Sequence, residues 1–206
     1  MSSLTTILSQ VAADVALERD ELNRLDAVAG DGDIGITIAS GAQAMQALLP
    51  GLADDDLATV LKRCGSELAR KVPSTSGTLV ATGFLRAGRA AGDAMPEPTQ
   101  QLAHCIEAAL QSMRERGKAA PGEKTMLDAL APAAAAIRTA VIEGADVATA
   151  LRHAATAAAA GADATKQMRA KVGRAGWLAD RSEGHEDAGA HMVAAIFASA
   201  ARHMAG

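Results

Sequence analysis

Alanine fills about a quarter of this 206-residue chain, whereas the aromatic residues are only Phe84, Trp177 and Phe197. Alanine loses no side-chain entropy in a helix. Sheets draw on aromatic and β-branched side chains, so this composition excludes an all-β fold. Runs such as 133–136 and 157–160 are alanine throughout. They read as faces on which helix axes approach closely.

Glycine, proline and aspartate punctuate the helical patterns at short intervals. Ser2 or Ser3 is expected to cap a first helix reaching about Asn23, with Leu4, Ile7, Leu8, Val11, Val15 and Leu17 on its apolar side. Further helices are expected over about 36–48, 55–71, 77–91, 98–116, 124–143, 147–171 and 188–205. One of Asp54, Asp55 and Asp56 is expected to cap the third, and Asp146 the seventh. Eight helices with short connections and no convincing strand predict an all-α, up-and-down antiparallel barrel or bundle, as one domain over 1–206.

Charge and chemistry narrow the function. The net charge is −4 and no basic patch stands out, so nucleic acid and anionic membranes are not expected partners. No apolar run approaches the roughly 20 residues that span a bilayer, and residues 1–15 do not read as a signal peptide. Cys64 and Cys105 sit in helical patterns without metal spacing and read as free, buried thiols. The expected location is the cytoplasm.

Four loops carry the remaining polar signal. The first, Leu25-Asp26-Ala-Val-Ala-Gly30-Asp31-Gly32-Asp33-Ile34-Gly35, brings three carboxylates together around glycines that permit tight geometry and close ligand approach. Converging carboxylates suit a hard cation such as magnesium or calcium. An EF-hand does not fit, because the twelfth position counted from Asp31 is Ala42. The second, Pro73-Ser74-Thr75-Ser76-Gly77, opens a helix and reads either as a simple cap or as an anion site. The third, Gly117 to Met126, resembles a Walker A loop, but Glu123 interrupts the order and no strand precedes it. A phosphate contact through Lys124 and Thr125 and mere capping both remain open there, and Asp128 reads as a complement to the positive helix end. The fourth, Gly173 to Gly189, is long and polar and holds the single tryptophan. His185-Glu186 starts an HExxH motif that Gly189 ends, so zinc is not expected. Arg174 is a candidate phosphate partner, with a surface ion pair as the alternative. The four loops follow the first, third, fifth and seventh helices. Alternate loops of an up-and-down barrel lie at one end, so a single site is expected there.

The stretches LDAVAGDGDIG, STSGTLVATGFLRAG, RGKAAPGEKTMLDALAPAAAA and GRAGWLADRSEGHEDAGA, in order from residue 25 to residue 190, resemble the nucleotide-binding L subunits of dihydroxyacetone kinases. The resemblance implies an eight-helix barrel that binds ADP or ATP through two magnesium ions. It implies that Asp26, Asp31 and Asp33 hold the metal. Ile34, Gly35, Ile36 and Thr37 would meet the nucleotide, as would Thr75, Ser76 and Gly77, then Gly117, Thr125 and Met126, then Arg174, Asp187, Ala188 and Gly189. Arg174 would offset phosphate charge during transfer. The chain departs from the family pattern at Ile34, which stands for a histidine, at Thr37, which stands for an asparagine, at Thr78, which stands for a proline, and at Ala188 in an aspartate-proline-glycine stretch. The implied partner is a K subunit holding dihydroxyacetone. A phosphotransferase-system M subunit would rephosphorylate bound ADP in one version of the family, whereas ATP exchanges in the other. A homodimer is compatible with either. The implied activity is phosphoryl transfer to a short ketose. A nucleotide-sensing regulatory module and a metal-dependent phosphatase are the alternatives.

Overall fold

The structure is a computed structural model describing residues 3–204, apart from the side chain of Arg174. Ser2 therefore lies outside the described residues. Ser3 caps the first helix, its hydroxyl accepting from the Thr6 amide at 3.2 Å. Among the described residues eleven α-helices follow one another: α1 (Leu4–Leu17), α2 (Arg19–Asp26), α3 (Ile34–Leu48), α4 (Leu57–Lys71), α5 (Thr75–Ala90), α6 (Pro98–Gly117), α7 (Leu127–Ile142), α8 (Val147–Ala164), α9 (Gly173–Trp177), α10 (Ala179–Ser182) and α11 (Ala188–Met204). No strand occurs among the same residues.

Eight of these helices form a closed ring. Each of α1, α3, α4, α5, α6, α7 and α8 packs against the next, α8 packs against α11, and α11 packs back on α1. A polar latch joins the two ends of the chain. Asp14 of α1 accepts from Ser199 Oγ at 2.6 Å and Arg202 at 2.8 Å, and His203 Nε2 lies 2.9 Å away, all on α11. Those hydrogen bonds hold the Asp14 carboxyl down at about 2.

Small residues set the helix spacing. Ala133 on α7 and Ala154 and Ala158 on α8 are wholly buried. Pro132 inside α7 has no N–H to donate to the Asp128 carbonyl. Gly161 packs there so closely that a Cβ would lie 2.2 Å from that oxygen. Of the expected caps, Asp56 accepts from Thr59 N and Asp146 from Thr149 N, each at 2.7 Å. Cys64 and Cys105 are free and buried. No helix among the described residues is long and apolar enough to cross a membrane.

Four boundaries differ from the sequence expectation. The first helix breaks at Glu18 into α1 and α2, which turns Leu22 and Leu25 into the core and brings Asn23 and Asp26 to the start of α3. The sixth starts at Leu127 rather than 124, because Lys124 adopts a left-handed φ of 61°. The seventh stops at Ala164, well before 171, and ends in a 3-10 turn over Thr165–Gln167. The fourth loop contains two short helices, α9 and α10.

Candidate functional site

A cleft of about 480 Å³ opens at one end of the ring and is lined from all four polar loops. Ile34, Thr75, Leu127 and Ala188 all line it, and these are the first residues of α3, α5, α7 and α11. The four helices are alternate members of the ring, so the same topology that packs them antiparallel points four N-termini at one space. Each helix start carries N–H groups without intrahelical partners and the positive end of its dipole. Such a place favours an anion, and a polyanion most of all.

The acids line the same cleft beside the start of α3. Asp26, Asp31 and Asp33 each offer an oxygen, and the three oxygens lie within 4.8 Å of one another. Among the described residues this is the one such grouping of histidine, cysteine, aspartate or glutamate. Asp26 is anchored by its backbone surroundings. Its Oδ2 accepts from the amides of Gly32 at 2.9 Å, Asp33 at 3.1 Å and Ile34 at 3.4 Å. Its Oδ1 lies over Gly30, where a Cβ would come within 2.2 Å. Gly32 makes the turn in a left-handed conformation, φ 76°. Asp33 occupies the N-cap position of α3 but does not cap it. The side chain of Asn23 does so from α2, its Oδ1 accepting from Gly35 N at 2.8 Å and Ile36 N at 3.3 Å. Three hard oxygen donors on one anchored turn fit magnesium in chemistry and number, since that ion takes a few carboxylates and fills its shell with water and phosphate.

Asn23 belongs to no motif that the sequence displays. It lies three residues before Asp26 on the same helix face, and that spacing was the available signal. Asn23→Ala removes the acceptor for two helix-start amides and is expected to cost about 1–2 kcal/mol. A shift of the urea midpoint without a change of slope would register this.

In the third loop the charged residues serve the backbone. Asp128 does not simply complement the helix end. Its carboxylate accepts from the amides of Gly122 and Thr125, folding the loop back on α7. Thr125 Oγ1 accepts from Leu127 N at 3.2 Å. Lys124 is buried, 5% exposed, and its ammonium donates to four carbonyl oxygens, those of Thr165 and Met168 just after α8 and of Ser182 and His185 in the fourth loop. Burial pulls it below the ordinary lysine range, against the pull of Asp187 and Glu183. Of the two readings left open for this loop, a phosphate contact through Lys124 is thereby set aside.

Asp187 opens α11. Its Oδ2 accepts from Ala190 N at 2.8 Å, and its own amide donates to Thr165 Oγ1 at 2.9 Å. The residue keeps some surface, but enclosure of its carboxyl, reinforced by the nearby Asp128 carboxylate, pushes it up to about 7; the Ala190 amide and Lys124 oppose that shift. A group that binds its proton more tightly when folded stabilises fully below about pH 4 and loses that contribution as pH rises to about 7. Asp187→Asn should flatten this decline. Urea midpoints at pH 4.5 and 7.5 should fall less in the variant than in the parent.

Of the candidate ligand residues, Asp26, Asp31, Asp33, Ile34, Thr37, Thr75, Ser76, Gly117, Thr125, Met126, Asp187, Ala188 and Gly189 line the cleft. Gly35, Ile36 and Gly77 do not. Gly35 is buried and packs so tightly on α2 that a Cβ there would lie 1.9 Å from the Arg19 carbonyl oxygen. Ile36 is 60% exposed. Gly77 packs on Val72, where a Cβ would lie 2.3 Å from the carbonyl oxygen. Capping of α5 falls to Ser74, whose Oγ accepts from Gly77 N at 3.0 Å. The side chain of Arg174, a candidate on charge, lies outside the described residues. His191 lies between Glu186 at 3.0 Å and Glu18 at 3.4 Å. Trp177, 90% exposed, stands with Leu178 at a shallow depression shared with Ala29, Gly30 and Asp31.

Known proteins share this arrangement of sequence and fold. A family profile described as the DAK2 domain matches residues 28–202. The ADP-binding subunit DhaL of the PEP-dependent dihydroxyacetone kinase of Escherichia coli K12 is 35% identical over 176 residues, covering 85% of this chain and 84% of that one. The L-erythrulose kinase of Pectobacterium atrosepticum is 35% identical over 188 residues, covering 90% of this chain and 32% of that enzyme. The chain thus spans about a third of the length of such single-chain relatives. The crystal structure of the dihydroxyacetone kinase of C. freundii superposes with a TM-score of 0.78 at 29% identity, over 97% of this chain and 34% of that one. The same enzyme in complex with AMP-PNP and Mg2+ gives 0.74 at 30% identity, over 97% and 33%.

Proposed function

The chain belongs to the DAK2 domain family, and from that membership we propose that it is the nucleotide-binding subunit of a kinase for dihydroxyacetone or a related short ketose. The observation that carries this reading is the meeting of three carboxylates and four helix N-termini in one cleft. A magnesium nucleotide needs both features: acids for the metal, and backbone donors with a positive field for the phosphates. The relatives support nucleotide and magnesium, since one is named an ADP-binding subunit and another structure holds AMP-PNP and Mg2+.

Each part of the cleft has a task in this reading. Asp26, Asp31 and Asp33 would hold the metal, two ions by the family resemblance. Bound there, magnesium would neutralise charge on the phosphate oxygens. The helix start at Thr75 presents amides and the hydroxyls of Thr75 and Ser76 to the phosphates, and the start of α7 adds the positive end of its dipole and the Thr125 hydroxyl. Leu79, Met113 and Met126 give the cleft an apolar wall suited to the base. The N-terminal turn of α11 at Ala188 and Gly189 completes the surround, with Arg174 joining it by the family resemblance. Phosphoryl transfer depends mostly on positioning and on charge neutralisation, and this set supplies both.

Among the described residues the cleft offers no group besides its acids and Lys124 to accept the proton of an acceptor hydroxyl. Asp26, Asp31 and Asp33 are assigned to the metal, the Asp187 carboxyl is taken up by the Ala190 amide, and the Lys124 ammonium is engaged by carbonyls. A separate K subunit that holds the ketose would supply that function, and the exposed Trp177 and Leu178 beside Asp31 give such a partner an apolar rim to cover. The phosphoryl source is either exchanging ATP or a resident ADP rephosphorylated by a phosphotransferase-system M subunit.

The test is reconstitution. Alone, the chain should bind nucleotide and leave dihydroxyacetone unphosphorylated. Mixed with a dihydroxyacetone-binding subunit and a phosphoryl donor, it should form dihydroxyacetone phosphate. Nucleotide binding without transfer in any such mixture would favour the regulatory reading instead. Steady ketose phosphorylation by the lone chain would contradict the division of labour.

A further inference from the structure

Lys124 is the most heavily bonded lysine among the described residues, and its four bonds all go to backbone carbonyls. Its Nζ donates to the carbonyl oxygens of Thr165 at 2.8 Å, Met168 at 3.1 Å, Ser182 at 2.6 Å and His185 at 2.7 Å. An ammonium has three N–H groups, so three donors serve four acceptors inside a closed cage. The carbonyls come from the two ends of one segment. Thr165 and Met168 follow α8, whereas Ser182 and His185 precede α11. The same ends are tied by Ala170 N to Ser182 Oγ at 3.1 Å and Gly184 N to Lys166 O at 2.9 Å. Between them runs the stretch that brings Val172, Gly173 and Ala175 to the cleft.

The backbone is bent to make this possible. Lys124 sits at φ 61°, a conformation that costs a residue with a side chain about 1 kcal/mol. That turn carries the side chain away from α7 and into the fourth loop. Asp128 holds the turn from the other side through the amides of Gly122 and Thr125.

We propose that Lys124 is the positioning residue of the nucleotide site, gathering both ends of the 165–187 segment around its ammonium so that Val172, Gly173 and Ala175 form a fixed wall of the cleft. It acts on nucleotide through the loop and not on phosphate. The consequence for nucleotide rests on the kinase reading above; the gathering of the loop does not.

Arginine separates the two roles. A phosphate ligand tolerates arginine, whose fork pairs well with phosphate. A compact cage of converging carbonyls does not tolerate a larger planar guanidinium. Lys124→Met and Lys124→Arg would be compared with the parent in limited trypsin digestion without nucleotide, following cleavage after Arg169, Lys171 and Arg181. Both variants should be cut in this segment about tenfold faster or more, because digestion tracks the open population. In the reconstituted kinase both should raise the nucleotide KM about tenfold with kcat changed less than about threefold, since the wall orients and the acids act. Unchanged digestion, or an arginine variant that behaves as the parent, would overturn the proposal. If the variants fail to fold, NMR of lysine 15Nζ in the parent decides: a caged ammonium should give a slowly exchanging resonance, and exchange as fast as that of exposed lysines would overturn the proposal. A parent chain that binds no nucleotide would contradict the kinase reading, while the digestion and NMR results would still decide the role of Lys124.

Discussion

Asp31→Asn and Asp33→Asn are each expected to lower phosphoryl transfer about a hundredfold or more while leaving the fold intact. Both side chains are exposed on the loop before α3. Substitutions at such positions usually shift stability by no more than about 0.5 kcal/mol. Their direction without metal is informative. Three carboxylates within 4.8 Å repel one another, so removing the Asp33 charge in a chelator should leave the protein as stable or slightly more so. With magnesium added, the parent should gain stability and the variants should gain less, because a ligand stabilises only the state that binds it. Asp26→Ala should behave differently. Three amides converge on Asp26 Oδ2, and their loss of an acceptor should cost about 1–3 kcal/mol besides activity. Thermal melts with magnesium and with chelator, beside initial rates, separate these cases.

Gly35→Ala is expected to destabilise by roughly 3 kcal/mol, near the upper end for overpacking. The added Cβ would lie 1.9 Å from the Arg19 carbonyl oxygen and 2.7 Å from Asn23 Oδ1. Neither neighbour yields easily. The first is helix backbone, and the second is fixed by its bonds to Gly35 N and Ile36 N. The strain falls on the contact between α2 and α3, which sets where Asp26 stands relative to Asp31 and Asp33. Metal affinity should therefore fall with stability. Gly51→Ala is the matched control: a Cβ added there would meet nothing within 4 Å, so its urea midpoint should stay close to that of the parent.

Much of this was legible in the sequence because the signals were local. Caps at Ser3, Asp56 and Asp146 follow from the short polar side chain that precedes each apolar pattern. The parity of the loops followed from helix count alone, and it gathers Ile34, Thr75, Leu127 and Ala188 at one cleft. What escaped depends on partners distant along the chain. Gly35 reads as room for a ligand until Arg19 is seen above it. Glycine and threonine around Lys124 left a phosphate contact and capping both open, and its acceptors lie 41 to 61 residues away. The break at Glu18 escaped as well, since residues on both sides of it form helix and only the burial of Leu22 and Leu25 demands the turn.

Everything functional rests on the acids and the helix starts forming one magnesium-nucleotide site. Calorimetric titration of ADP into chelator-stripped protein, with and without magnesium, tests this most directly. One-to-one binding is expected with magnesium, and affinity weaker by about tenfold or more in chelator. Equal affinity in chelator, or no binding under either condition, would contradict a shared site.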